Sequence, residues 1–92
     1  MTPQARVHVV DEVATKEGSE GYRLCLQWCR YLYHDGGSQE GYRFIWRRPD
    51  GTLQAARGQA RIPSIAVMDA LTKEAKKKGW GKRAAEDEAD YL

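Results

Sequence analysis

The sequence predicts an α+β fold, an antiparallel four-stranded β-meander with one C-terminal helix packed on one face, ββββα. Three observations predict it. Four segments among the first 57 residues place apolar side chains at alternating positions: "RVHVVDEV" from Arg6, "YRLCLQWCRYLY" from Tyr22, "YRFIWRR" from Tyr42 and "TLQAAR" from Thr52. "GSEGYRL" at 18–24 recurs as "GSQEGYRF" at 37–44 with one residue inserted, so two strands start alike behind a Gly-Ser turn. The stretch "PSIAVMDALTKEAKKKGW" carries helical periodicity with its own start and stop signals.

The first run alternates so as to bring Val7, Val9 and Val13 to the helix side and leave His8 and Val10 on the other. The second run has two readings. As a helix it aligns Arg23, Gln27, Arg30 and His34 in one stripe. As a strand it separates Tyr22, Leu24, Leu26, Trp28 and Leu32 from Arg23, Cys25, Gln27, Cys29, Tyr31 and Tyr33, with Arg30 the one charge on the apolar side. The internal echo favours the strand, because the second copy continues into an aromatic and β-branched run stopped by Pro49-Asp50-Gly51. A bulge near Arg30 stays open at this point and would turn Tyr31 and Tyr33 inward. Pairing the two copies as a hairpin sets even residues opposite even, so that Tyr42, Phe44 and Trp46 join the apolar face. After Gly51 a short fourth strand places Leu53 and Ala55 beside Trp46. The helix is capped by Ser64, turns Ile65, Met68, Leu71, Thr72 and Ala75 inward over Trp28, Phe44 and Trp46, and sets Lys76, Lys77 and Lys78 at its negative end. Gly79 is the left-handed stop, and Trp80 folds back onto the last turn. Residues 1–80 read as a single domain and 81–92 as a charged, mobile tail.

Composition narrows the function. Fifteen basic and thirteen acidic residues give +2, with four of the acids clustered in "AEDEADYL". No apolar run approaches the roughly 18 residues of a membrane span, and the N-terminal stretch has no apolar signal core, so a cytoplasmic chain with reduced cysteines and no membrane partner is expected. On a strand, residues four apart stand about 13 Å from each other, too far for Cys25 and Cys29 to bridge or to share a metal. His8 and His34 stand at no ligand spacing, and Cys29 with His8 is a nucleophile pair only if neighbouring strands bring them together. Asp11 and Glu12, adjacent on a strand, point to opposite faces. A core this thin leaves little room for a pocket of several hundred cubic ångströms. No cofactor, no metal and no catalysis are expected.

The predicted open sheet face instead carries Arg23, Tyr31, Tyr33, Arg43 and Arg47, and Arg57 and Arg61 precede the helix start. Arginines suit phosphates and tyrosines suit stacked bases, so the expected function is a small non-enzymatic binding domain that takes DNA or RNA on these seven residues. The alternative is a protein–protein interaction or homodimerisation module on the same face, since Tyr and Arg are also the residue types of interface hot spots and the apolar Val10, Cys25, Cys29 and Ile45 lie among them. Edge strands offer such a partner a further route, by strand addition.

Overall fold

The computed structural model describes residues 5–55 and 59–92. Three antiparallel strands, β1 (Ala5–Ala14), β2 (Arg23–Tyr33) and β3 (Ser38–Arg47), form one sheet in the order β1-β2-β3. Helix α1 (Ile65–Lys77) and a 3-10 turn at Glu88–Asp90 follow. The class is α+β, but the sheet has three strands where the sequence predicts four. After the turn at Pro49-Asp50-Gly51 the chain meets β3 through a single bridge, Arg47 to Leu53, supported by Gln54 N–H donating to Trp46 O (2.8 Å) and Arg48 N–H to Thr52 O (2.7 Å). Leu53 is half-buried and Ala55 exposed. One apolar anchor followed by short side chains does not hold a longer ladder against the entropy of ordering it.

β2 is a strand, and its pairing with β3 runs without interruption from Arg23↔Arg47 to Leu32↔Ser38, even residues opposite even. No bulge interrupts it near Arg30. The hairpin closes through Tyr33 N–H to Gly37 O (2.9 Å) and Gly36 N–H to Tyr33 O (3.1 Å), with Gly36 at φ 87°, a left-handed conformation open to glycine.

β1 departs from simple alternation. Its register shifts between Val9, opposite Cys29, and Asp11, opposite Trp28, which makes Val10 the extra residue of a β-bulge. Val13 keeps the helix side. Val7 and Val9 fall instead on the other face, beside Tyr31 and Cys29, and His8 sits opposite Arg30 on the helix side. These three placements correct the sequence expectation, and the cause is length. Thirteen helical residues span about 20 Å, while eleven strand residues span about 36 Å. The helix covers one end of the sheet, so valines at the far end find no apolar cover on that side. Leu32 and Tyr42, also at that end, are 40% and 50% exposed.

The core joins Leu24 and Leu26 of β2 to Leu71, Ala75 and Trp80, with Val13, Trp28, Phe44, Trp46, Ile62 and Val67 around them. The helical stripe is therefore Val67, Leu71 and Ala75, four residues apart. Ile65, expected inside, is 68% exposed, because at 100° per residue it stands about 120° around the helix from Leu71. Both helix ends follow the predicted chemistry. Ser64 Oγ accepts from Val67 N–H (3.2 Å). At the other end Gly79 (φ 91°) donates to Lys76 O (3.0 Å) and Trp80 N–H to Ala75 O (3.1 Å), the paired bonds of a glycine stop that turns Trp80 back onto the core. Trp80 then donates its indole N–H to Asp11 (3.1 Å), and Lys78 pairs with the same carboxylate at 3.0 Å. Among the described residues no helix is long and apolar enough to cross a membrane.

Chemical denaturation tests this core. Leu24→Ala should lower stability by about 2–5 kcal/mol, through lost burial and a residual cavity. Ile65→Ala should stay within about 0.5 kcal/mol of the parent, as an exposed position does.

Candidate functional site

The face of the sheet turned away from α1 is built in rows across the strands. Arg23 faces Arg47. Ala14, Cys25 and Ile45 form the next row, then Glu12, Gln27 and Arg43, then Val9, Cys29 and Gly41, and finally Val7, Tyr31 and Gln39. Among the described residues no helix or strand packs on this face, yet Cys25, Gln27 and Cys29 have no accessible surface. Long polar side chains from the two outer strands enclose them. Glu12 accepts from Gln27 Nε2 (2.7 Å) and from Arg47 (2.6 Å), and Gln27 Oε1 accepts from Arg43 Nε (2.8 Å). Arg47 donates further to Gly51 O. A buried amide between a carboxylate and a guanidinium has both its donor and its acceptor sides satisfied, which is the condition for burying it without penalty. Among the described residues no buried side-chain nitrogen or oxygen lacks a partner.

The electrostatics follow from that arrangement. Burial pushes the Glu12 carboxyl up, but hydrogen bonds from Gln27 and Arg47, with the Arg47 charge, more than offset it and hold Glu12 below its ordinary value. Asp11, its neighbour on the opposite face, is also held low, chiefly by the Lys78 ammonium and then by the Glu12 N–H, with the Trp80 indole adding to it. Burial raises both thiols, Glu12 adding to the effect at Cys25 and Arg43 opposing it at Cys29. Thiols held this way carry little thiolate at neutral pH. Cys29 and His8 belong to opposite faces, so the strands do not join them. Among the described residues no three His, Cys, Asp or Glu side chains converge as metal ligands.

The residues proposed from sequence are thus partly gathered. Arg23, Tyr31, Tyr33, Arg43 and Arg47 share one face, but they are committed to neighbours. Arg23 reaches Glu17 (3.2 Å), which relieves its like-charge position opposite Arg47. Tyr33 OH donates to Gln39 Oε1 (2.8 Å). The Tyr31 ring lies over Gly41, 3.6 Å from where a Cβ would stand there. Arg61 is elsewhere: its carbonyl accepts from Trp46 Nε1 (2.9 Å), on the helix side of the sheet. Arg57 lies outside the described residues.

Two features escape the sequence reading. One is Glu12 at the centre of the arginines. Its trace is "VVDE", two consecutive valines in an otherwise alternating strand, the mark of a bulge that resets which carboxylate faces where. The other is a surface groove of about 690 Å³ beyond the helix, between residues 38–42 of β3 and residues 79–87. Leu32, Trp28 and Tyr42 line it, Tyr42 stacks on Trp80 at 6.0 Å, and Tyr42 OH accepts from Gly81 N–H (3.1 Å). A thin core does not preclude it, because it lies outside the core, on the length of sheet that α1 leaves uncovered. Comparisons of the chain with protein-family models, curated proteins and solved structures found no match.

Acid tests the paired carboxylates. Asp11 and Glu12 both have folded values below the ordinary ones near 3.8 and 4.5, so the stability they contribute is complete above those values and is lost as the pH falls through the lower, folded values. Urea midpoints should therefore drop steeply below about pH 4 in the parent. The double variant Asp11→Asn, Glu12→Gln should show a shallower dependence over that window.

Proposed function

We propose that this chain is a non-enzymatic protein-binding module whose partner adds to the free edge of β3. The observation that carries the reading is the state of the predicted phosphate contacts. Arg47 directs its two terminal nitrogens to Gly51 O and Glu12, Arg43 gives its Nε to Gln27, and Arg23 pairs with Glu17. A phosphate arriving on this face meets a carboxylate already seated among the arginines and must break a half-buried pair to bind, Arg47 and Glu12 being 30% and 26% exposed. Surface phosphate binders work with unpaired cations whose counterions are released to solvent, and Arg47 is the reverse of that. Of the two tyrosines on the central strand, Tyr33 is hydrogen-bonded to Gln39 and the Tyr31 ring lies over Gly41, so neither stands free as a stacking surface.

The edge of β3 offers what the face does not. Among the described residues β3 pairs with β2 alone along Ser38–Ile45, so one side of its backbone is left without a strand partner there. The groove beside that edge has a mixed lining, Trp28, Leu32 and Tyr42 among charged residues of β2, β3 and 82–87, that an extended partner's side chains can meet.

Peptides selected on this protein from a random display library, followed by 15N shift mapping, provide the test. Perturbations should concentrate at residues 38–44 and at Leu32. Single- and double-stranded DNA and RNA, titrated at low salt, should give no saturable shifts. Saturable nucleic-acid binding that weakens steeply with salt, and that Arg43→Glu with Arg47→Glu abolishes, would return the open face to first place.

A further inference from the structure

We infer that the strand which adds to β3 is β3 of a second copy, in an antiparallel pair about a two-fold axis at Gly41. The inference rests on the protein-binding reading above and names its occupant. It begins with which backbone groups are free. Tyr33 N–H donates to Gly37 O across the hairpin, so the odd residues of β3 exchange hydrogen bonds with β2 and the even residues turn theirs outward. The chain itself shows the outward set in use, since Trp46 O and Arg48 N–H are the groups that bind residues 52–54. Among the described residues, no strand lies beside the outward N–H and C=O groups of Ser38, Glu40, Tyr42 and Phe44.

The two edges of the sheet differ in how they are protected. β1 carries the bulge at Val10, which breaks its outer row of donors and acceptors. β3 keeps an unbroken register over its whole length and has no bulge. Charges usually guard such an edge, but Glu40, the charged residue among its outward set, is already paired with Arg30 at 3.2 Å.

Register arithmetic then selects the second copy. Under a two-fold axis at Gly41, Glu40 lies opposite Tyr42 of the second copy and Ser38 opposite its Phe44, and each relation holds in reverse. All four free positions pair, and pairing stops where residues 52–54 begin. Gln39 falls opposite Arg43, so no like charges meet. An axis at Glu40 sets Glu40 against itself, and an axis at Tyr42 requires Trp46, whose outward carbonyl is taken. Even-numbered side chains project to the helix side, so Tyr42 and Glu40 of the incoming strand lie beside the groove, whose charged lining includes Lys82, Arg83, Glu86 and Asp87.

Sedimentation equilibrium and hydrogen exchange on the full chain test this. The mass should rise with concentration toward twice 10.5 kDa. The Glu40 and Tyr42 amides should become protected in step, and a mixed-label sample should show an Hα–Hα contact between the Gly41 residues of the two copies. Glu40→Pro removes one outward N–H and no bond to β2, a substitution edge strands accept, and should give a folded monomer. Should that variant fail to fold, the parent's amides decide alone. A parent that stays monomeric at millimolar concentration with freely exchanging Glu40 and Tyr42 amides overturns the inference, as does a folded Glu40→Pro variant that still dimerises. A monomeric parent whose 38–44 amides are protected only by a library-selected peptide overturns the second copy as occupant and leaves the protein-binding reading standing.

Discussion

One extra residue in β1 organises the molecule. By inserting Val10, the bulge lets Asp11 face the helix while Val7 and Val9 face the other way, a division that strict alternation forbids. Asp11 then receives the Trp80 indole and the Lys78 ammonium at the point where α1 ends, and Glu12, one residue on, receives Gln27 and Arg47 on the opposite face. Two adjacent carboxylates therefore tie down two faces, one fastening the helix and the other closing a polar lattice over buried thiols. Without the bulge, either Val13 leaves the core or the far valines are stranded beyond the helix.

The lattice shows how a three-stranded sheet with one helix manages its second face. An antiparallel sheet packed on one side commonly leaves its other face to solvent. Here the outer strands lay Arg43, Arg47 and Glu12 across the central strand, and their aliphatic stems exclude water while their heads satisfy one another through Gln27. In such a face Arg47 and Glu12 answer each other's charge before any ligand arrives. The proposed partner strand is accordingly placed at the edge of β3, beside the groove.

Much of this was legible in the residues. The Gly-Ser echo and the Tyr-Arg starts identified the β2–β3 hairpin and its parity, and Ser64, Gly79 and Trp80 marked both ends of α1 because caps act locally. The opposition of Asp11 and Glu12 followed from strand geometry alone. What could not be read depended on lengths and partners distant in sequence. The shortfall of α1 against β2 decided the fate of Val7, Val9 and Leu32, and only the competition between turn and sheet decided that Leu53 would make a bridge and not a strand. Arginines on a strand look the same in sequence whether they are free or paired. Arg47 is paired because Glu12 arrives from 35 residues away, behind a bulge.

A double-mutant cycle between Asp11 and Trp80 tests the bulge-and-clasp account most directly. Asp11→Ala and Trp80→Phe each remove one side of the bond, the second keeping a ring in the core, and their combination reports the coupling. With the Asp11 side chain 38% exposed, solvent screening holds the expected coupling to about 0.5–1 kcal/mol, favourable, by urea denaturation. Additive losses, with no coupling between the two positions, would mean that Asp11 does not fasten the helix end to the sheet.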